Sequence, residues 1–182
     1  MAFQVECTVY ASRPNPAGRT KAELRVYDLL EQLGISFERV DHEAAMTVEC
    51  LEPVDRALGI HICKNLFLCN AQKTHFYLLM MPGDKTFRTK DLSAQINSSR
   101  LSFADAGNME RLLGLKPGAV SVLGLMNDSE RQVRLLIDRD VLAGEYVGCH
   151  PCVNTSSLKL RLTDVLEKFL PYTGHVPTVV AL

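Results

Sequence analysis

The residues with the most obvious chemical potential lie near the C-terminal end, in Cys149-His150-Pro151-Cys152. A C-x-x-C pair enclosing a proline superficially matches thiol-disulfide oxidoreductases. That chemistry needs the first cysteine at a helix N-terminus, where the helix dipole lowers the pKa of the thiol. Residues 153–157 (VNTSS) are a poor helix start, and no thioredoxin-like βαβ pattern precedes the motif. Redox chemistry at Cys149 and Cys152 is therefore kept as an alternative rather than as the first hypothesis.

Lys64 and His150 are two further residues that could do chemistry. Lys64, followed by Asn65, heads a strongly apolar segment. A lysine at such a place is more often a solvated edge charge than a catalytic group. His150, between a glycine-containing turn and a proline, could equally be a structural histidine with both ring nitrogens satisfied. A zinc site would require His61 and Cys63 to converge with the C-x-x-C pair. Spacing alone assigns none of these roles.

Several familiar signatures are absent from the sequence. It has no G-x-S-x-G elbow, no GxxxxGK[ST] phosphate loop, no H-E-x-x-H zinc pair and no EF-hand loop. An ordinary serine hydrolase, nucleotidase or zinc protease is accordingly disfavoured, and we expect no metal and no cofactor.

Strands and helices that would position these residues can be predicted from the apolar pattern. Helical spacing predicts a helix from residue 20 to 33, and two apolar runs at 65–69 and 75–81 lie close enough to pair as strands. A hairpin is predicted between residues 119–126 and 133–138, and Thr163 is expected to cap a helix through Leu170. The irregular interleaving of strands and helices favours a mixed sheet with helices packed around it.

Length and charge limit the remaining possibilities. The 182 residues suit one domain, and 20 Lys plus Arg against 21 Asp plus Glu give a net charge of -1, which creates no global attraction to nucleic acid or to an anionic membrane. Any RNA contact must therefore be local. The sequence shows no apolar run of membrane-spanning length and no leader pattern, so we expect a cytoplasmic protein. Residues 1–18 contain a turn-rich stretch and are predicted to be an N-terminal extension, with the domain at 19–182.

Taken together and in order, several segments resemble the prolyl-tRNA editing family, which includes the YbaK proteins and the editing insertion of bacterial prolyl-tRNA synthetases. The similarity is greatest to the stand-alone alanyl-tRNA(Pro) deacylases. It covers roughly residues 20–182 and is specific because of the ordered set rather than any one segment. The segments that carry it are Thr47-Val48-Glu49, Lys64 to Leu68, Ser99 to Ala104, Leu112 to Val120, Asn127-Asp128, His150-Pro151, Asn154 and Thr173-Gly174-His175.

The resemblance implies an α/β fold, a single domain with a mixed, strongly curved, barrel-like sheet flanked by helices. It places the family's key lysine on Lys64 and its neighbouring asparagine on Asn65, and it implies catalytic roles for Lys64 and His150. It implies substrate binding by Asn65 and Asn154 and by the loop Gly148-Cys149-His150-Pro151. One departure is the pair Val122-Leu123, where relatives tend to have Pro-Phe, at a possible wall of the pocket.

The activity implied is hydrolysis of the ester that joins a mischarged amino acid, most simply alanine, to proline tRNA. A synthetase pocket shaped for proline excludes the smaller alanine poorly, because a missing methylene is worth only about 1–3 kcal/mol. A second site must then remove the error. The partners would be the acceptor end of tRNA(Pro), contacted by Lys85, Arg88, Lys90 and Arg100, and prolyl-tRNA synthetase as a further candidate. Alternatives are a Cys-tRNA(Pro) deacylase of the same fold, the thiol oxidoreductase and a non-catalytic tRNA-binding module.

Overall fold

The computed structural model describes residues 4–6, 8–45 and 48–182, so Thr47, one residue of the resemblance, lies outside the described residues. The described helices are α1 (Lys21–Gln32), α2 (Glu52–Leu58), α3 (Thr89–Gln95), α4 (Ala106–Leu113) and the last helical segment, in which α5 (Leu162–Asp164), a π-helix (Val165–Phe169) and α6 (Leu170–Thr173) follow one another. Short 3₁₀ helices span Val48–Leu51, Val122–Asn127 and Val141–Ala143. No helix among the described residues is both long and apolar enough to cross a bilayer.

The strands form two sheets. Three of them, β1 (Phe37–Asp41), β6 (Tyr146–Cys149) and β7 (Ser156–Arg161), pair in the order β1-β7-β6. The other five pair in the order β4-β2-β3-β5-β8 and comprise β2 (Lys64–Asn70), β3 (Phe76–Met81), β4 (Leu101–Phe103), β5 (Val133–Asp138) and β8 (Thr178–Val180). β5 is parallel to β3 and β8, and the remaining pairs are antiparallel. The α/β single-domain class is confirmed, with the strands divided between two sheets rather than joined in one.

A bridge between the two sheets lies beside the candidate site. Ile62, just before β2, forms a parallel bridge with Gly148 of β6, and the amide of Cys63 donates to the carbonyl of Gly148 at 3.0 Å. The chain thus enters β2 from a segment that is already hydrogen-bonded to the other sheet. Lys64 and Asn65 are consequently held at the junction of the two sheets.

The continuous apolar run of β2 and β3 has a simple explanation in the packing. Alternate residues of a strand face opposite sides of the sheet. Leu78 and Met80 of β3 belong to the main core, with α1, α4 and the last helical segment, whereas Leu79 and Met81 pack on the other face beside α3. Both faces are buried, so no polar alternation is expected. The predicted pairing of these two strands is confirmed.

Two sequence predictions are wrong. Residues 119–126 do not form a strand that pairs with 133–138, because Val122–Asn127 is a 3₁₀ helix and β5 pairs with β3 and β8. Ser121 caps that helix by accepting from the amide of Leu123 at 3.2 Å. Val122, Leu123 and Leu125 are all buried, and periodicity cannot distinguish a strand from a helix in such a continuous apolar run. Thr163 is not a helix cap either, because the last helical segment already begins at Leu162.

The described part of the predicted N-terminal extension packs along β1. Tyr10 and Arg39 exchange two backbone hydrogen bonds of 2.8 Å. Nearby, Arg19 joins two elements by donating to Glu23 of α1 at 2.9 Å and to Asp41 of β1 at 2.6 Å. Burial opposes ionisation of Asp41, but hydrogen bonds from Arg19 and Arg39 outweigh it and lower the pKa of Asp41 to about 2. This ion-pair network anchors α1 to β1.

Candidate active site

A cavity of about 290 Å³ opens where β2 begins. Its walls are mainly apolar and come from the segment before β2, the end of β4, α4 and the Pro117-Gly118 turn. Three of the predicted site residues, Lys64, Asn65 and His150, line it together with the apolar residues Ala45, Leu51, Ile62, Leu66, Phe67, Phe103, Ala104, Met109 and Val120. An apolar concave site with a few convergent polar groups is the usual form of a small-molecule or substrate pocket.

Lys64 is half-buried at the first residue of β2. Its ammonium donates to the carbonyl of Lys85 at 3.1 Å. An ammonium has three hydrogens to donate, and within the described part of the chain no carboxylate lies at ion-pair distance from Lys64. The positive charge is therefore oriented by a neutral group, and the ammonium keeps donors that this contact does not use.

His150 follows β6 and is 9% exposed. Its Nδ1 lies 2.8 Å from the carbonyl of Ser156, which can only accept, so Nδ1 carries the proton and Nε2 has a free lone pair. Burial lowers the pKa of His150 to about 4. The ring is accordingly neutral at pH 7. Nε2 makes no hydrogen bond to any residue that the structure describes, which leaves an unprotonated acceptor nitrogen on a residue that lines the cavity.

A second buried histidine, His42, is linked to His150 through the hydroxyl of Ser157. The hydroxyl of Ser157 lies 3.3 Å from Nδ1 of His150 and 2.9 Å from Nε2 of His42. The two rings are 5.9 Å apart. Sequence reasoning missed His42 and Ser157, which are 115 residues apart in the chain, and no local spacing could have connected them.

The side chain of Asn65 is already engaged. Its Oδ1 accepts from the amide of Val122 at 3.0 Å, and its Nδ2 donates to the carbonyl of Cys63 at 3.2 Å. Asn65 thus ties the start of the 3₁₀ helix at 122–127 to the cavity wall. Val122 and Leu123 themselves are buried in the main core and do not line the cavity, whereas Val120 does. The departure from the family pattern at Val122-Leu123 therefore does not form the described wall.

Gly148 is required by a close approach of two backbones. A Cβ at this position would lie 2.5 Å from Cδ1 of Ile62 and 3.0 Å from its Cα. The carbonyl of Gly148 is used by Cys63, and Ile62 stands between Gly148 and the cavity as a lining residue. Asn154 acts nearby by donating to the carbonyl of Ala45, another lining residue, at 3.2 Å. Both residues shape the wall from outside the cavity.

Cys149, Pro151 and Cys152 are buried and do not line the cavity. Burial raises the pKa of the Cys152 thiol to about 12, and burial raises the pKa of the Cys149 thiol as well. Neither thiol forms a disulfide. A redox-active pair needs an accessible thiolate, so this environment opposes the oxidoreductase alternative. Among the described residues, no group of three or more His, Cys, Asp or Glu side chains could hold a metal ion.

The four residues predicted to contact tRNA fall into two groups. Lys85 donates to the buried Asp138 at 2.8 Å and to Asp140 at 2.7 Å, so its charge is neutralised within the protein. Arg88, Lys90 and Arg100 are exposed, at the start of α3 and just before β4, and form no ion pair with any described residue. Lys85 contacts Lys64 through its backbone carbonyl, which accepts from the Lys64 ammonium. The other three charged residues lie on the surface.

Comparisons with known proteins agree with this picture. The model of the aminoacyl-tRNA editing domain family matches residues 42–168. A prolyl-tRNA editing protein, ProX, of Acetoanaerobium sticklandii is 32% identical over 154 residues, covering 85% of this chain and 93% of that protein. Prolyl-tRNA synthetase associated domain-containing protein 1 of Danio rerio is 28% identical and covers 98% of both chains.

A solved structure described as a candidate trans-editing enzyme for prolyl tRNA synthetase superimposes with a TM-score of 0.66. It is 16% identical, and the match covers 91% of this chain and 99% of that one, so the likeness concerns the fold. The family match spans more than half of the chain and includes the whole segment from Lys64 to His150. The chain therefore belongs to the aminoacyl-tRNA editing domain family.

Proposed function

We propose that this chain is a trans-editing deacylase that hydrolyses mischarged tRNA(Pro) in the cytoplasm, with alanyl-tRNA(Pro) as its preferred substrate. The observation that carries the proposal is that Lys64 and His150, whose Nε2 has no hydrogen-bond partner among the described residues, line one largely apolar cavity. The family match and the ProX relative, whose name refers to prolyl-tRNA editing, support the substrate class.

The reaction needs little beyond orientation and charge stabilisation. The bond is an activated ester, and holding water and ester in a reactive geometry can supply much of the rate. Lys64 polarises the ester carbonyl or anchors the terminal nucleotide, and its positive charge stabilises the oxyanion that develops. Nε2 of neutral His150 accepts a hydrogen bond from the attacking water, and the Ser156 carbonyl holds the ring in the required tautomer.

The preference for alanine follows from steric exclusion of the larger cognate residue. The ring of proline adds bulk that a packed wall can accommodate only by strain, which commonly costs about 1–3 kcal/mol. Proline also lacks the primary ammonium that alanine presents. Both differences act against the correctly charged tRNA, so the enzyme spares it.

The test is a panel of alanyl-, seryl-, cysteinyl- and prolyl-tRNA(Pro), with release of each amino acid measured for the wild type and Lys64→Ala. We expect alanine to be released fastest, serine more slowly and proline hardly at all. Lys64→Ala should reduce kcat/KM for alanyl-tRNA(Pro) about 100-fold or more, in the range found when one oxyanion-stabilising group is removed.

Lys73→Ala is the matched control, because Lys73 is exposed and paired with Asp105, and neither residue lines the cavity. Faster release of cysteine than of alanine would change the substrate while preserving the enzyme class. Efficient hydrolysis of prolyl-tRNA(Pro) would reject the editing function.

A further inference from the structure

Phe103 is an unusually exposed aromatic residue for its position in a sheet. It ends β4, and 63% of it is open to solvent, although Leu101 two residues earlier is buried at 2%. A single exposed apolar side chain is common on protein surfaces and needs no explanation by itself. This one, however, lines the cavity that contains Lys64 and His150. Its exposed area therefore lies at the mouth of the candidate active site.

The position of the ring is fixed by the strands and by a second aromatic residue. Phe103 pairs with Leu68 of β2, and the next residue, Ala104, donates from its amide to the carbonyl of Phe67 at 3.0 Å. The ring of Phe87 meets that of Phe103 edge to face, with centroids 6.4 Å apart. The backbone of Phe103 is thus fixed by strand pairing and its ring contacts Phe87 on one side, while most of the side chain stays exposed.

Two exposed arginines lie within three residues of these aromatic residues in the sequence. Arg100 comes three residues before Phe103, and Arg88 follows Phe87 directly. Both arginines are exposed and form no ion pair within the described ranges. An aromatic surface accompanied by basic side chains is the arrangement that proteins use to hold single-stranded nucleic acid, because bases stack on the ring and phosphates contact the charges.

We infer that Phe103 is a stacking platform for the terminal base of the tRNA acceptor end and thereby determines how the ester enters the cavity. The inference rests on the proposed function for the identity of the substrate. Stacking on Phe103 would hold the terminal nucleotide at the cavity mouth, with its aminoacylated ribose directed toward Lys64. Every base has a stacking face, so the platform supplies position and affinity and does not read which tRNA is bound.

The kinetic test compares Phe103→Leu and Phe103→Tyr on alanyl-tRNA(Pro) with a normal terminal adenosine and with an abasic terminal ribose. Leucine keeps apolar bulk and removes the ring, whereas tyrosine keeps the ring. We expect Phe103→Leu to raise KM and lower kcat/KM about 5- to 100-fold on the normal substrate, as expected for loss of one stacked base. Phe103→Tyr should stay near the wild type, and the abasic substrate should make all three proteins similar.

Tyr172→Leu is the matched control, because Tyr172 is 54% exposed and does not line the cavity. This change should leave kcat/KM unaltered. An equal loss for Phe103→Leu on the normal and abasic substrates, or no loss on either, would overturn the inference.

A binding measurement tests the platform even if hydrolysis is not observed. The chain has no tryptophan but has five tyrosines, so Phe103→Trp introduces a single tryptophan at the cavity mouth, whose emission is read with excitation that tyrosine does not absorb. Its emission should be quenched by a short RNA ending in CCA and not by the same RNA with an abasic end, whereas Tyr172→Trp should respond to neither. Equal quenching by both RNAs would contradict stacking, and quenching without any hydrolysis would reject the proposed function while preserving the platform.

Discussion

His150 and His175 are both buried histidines in segments that carry the family resemblance, but their surroundings differ. In His175, Nδ1 lies 2.9 Å from the hydroxyl of Thr173 and Nε2 lies 3.0 Å from the carboxylate of Asp128. Asp128 also accepts from the amide of Val133 at the start of β5. Nδ1 of His175 is therefore used at the end of the last helical segment, and Nε2 joins that segment to Asp128 before β5. His150 uses only Nδ1 for the fold and leaves Nε2 at the cavity.

Lys64 and Lys85 show the same contrast. Lys85 is held by two carboxylates, one of them fully buried, whereas Lys64 contacts a single carbonyl. In both pairs, the residue with all its polar groups satisfied stabilises the fold, and the residue with unused donors or acceptors faces the cavity. Residue type does not separate the two roles, but the number of satisfied hydrogen-bonding groups does.

The largest effect is expected when His150 and His175 are each replaced by Asn in separate variants. His150→Asn keeps a donor near Nδ1 for the Ser156 carbonyl and removes the Nε2 that accepts a hydrogen bond from the attacking water, so kcat should fall about 100-fold through loss of the positioned water. His175→Asn should leave kcat nearly unchanged and lower the free energy of unfolding by about 1–3 kcal/mol, because it deprives Asp128 of a buried partner. Single-turnover deacylation and urea unfolding of both variants measure this. The reverse assignment of effects would break the comparison.

Lys85→Met should destabilise the protein by about 3–5 kcal/mol, since it leaves the buried carboxylate of Asp138 without its charged partner. Adding Asp138→Asn should recover part of that stability. Thermal and urea unfolding of the single and double variants provide the measurement. If Lys85→Met unfolded like the wild type but bound tRNA with a shallower salt dependence, Lys85 would instead be a tRNA contact.

The desolvation of His150 also predicts how stability varies with pH. Its pKa is about 4 in the folded protein and about 6.5 when unfolded, so between these values the unfolded chain binds more protons. Stability should therefore fall by about 1–3 kcal/mol as pH decreases from 6.5 to 4. The pKa of His42 is lowered by burial in the same direction. Asp41 has a pKa of about 2, so its contribution to stability is lost only below the pH range of this test.

Urea unfolding at pH 7, 6, 5 and 4.5 would show the decrease, and His150→Asn should flatten it. A decrease of the same steepness in His150→Asn would mean that other groups are responsible.

The smallest effect concerns the exposed charges. Binding of tRNA should weaken with salt with a slope of log affinity against log salt of roughly -2 to -4, for a few neutralised phosphates. Replacing Arg88 and Arg100 with Ala should make the slope shallower by about 1.5, at roughly 0.7–0.9 for each phosphate that is no longer neutralised. Arg161→Ala serves as the control, because Arg161 faces Glu145. An unchanged slope in the double variant would remove these two residues from the tRNA surface.

Much of the fold was predictable because its elements carry local signals. Helix α1 has apolar residues at helical spacing after Thr20, whose hydroxyl accepts from the amide of Glu23 at 3.1 Å. Strands β2 and β3 are short apolar runs joined by a turn. The segment at Val122–Asn127 was not predictable, because its helix depends on Asn65, a residue 57 positions earlier that accepts from the amide of Val122. Strand β6 was not predictable either, because it contains Gly148, and the reason for a glycine there is the close approach of the distant residue Ile62.

By itself, the sequence determined the α/β class, the family resemblance and the choice of Lys64 and His150 as residues to test, because these depend on local pattern and ordered motifs. Only the tertiary structure decided which polar groups are satisfied. It paired Lys85 with Asp138, linked His150 to His42 through Ser157, buried Cys149 and Cys152 and exposed Phe103 at the cavity mouth. The physical reason is that hydrogen bonding and desolvation depend on neighbours that are distant in the chain and adjacent only after folding.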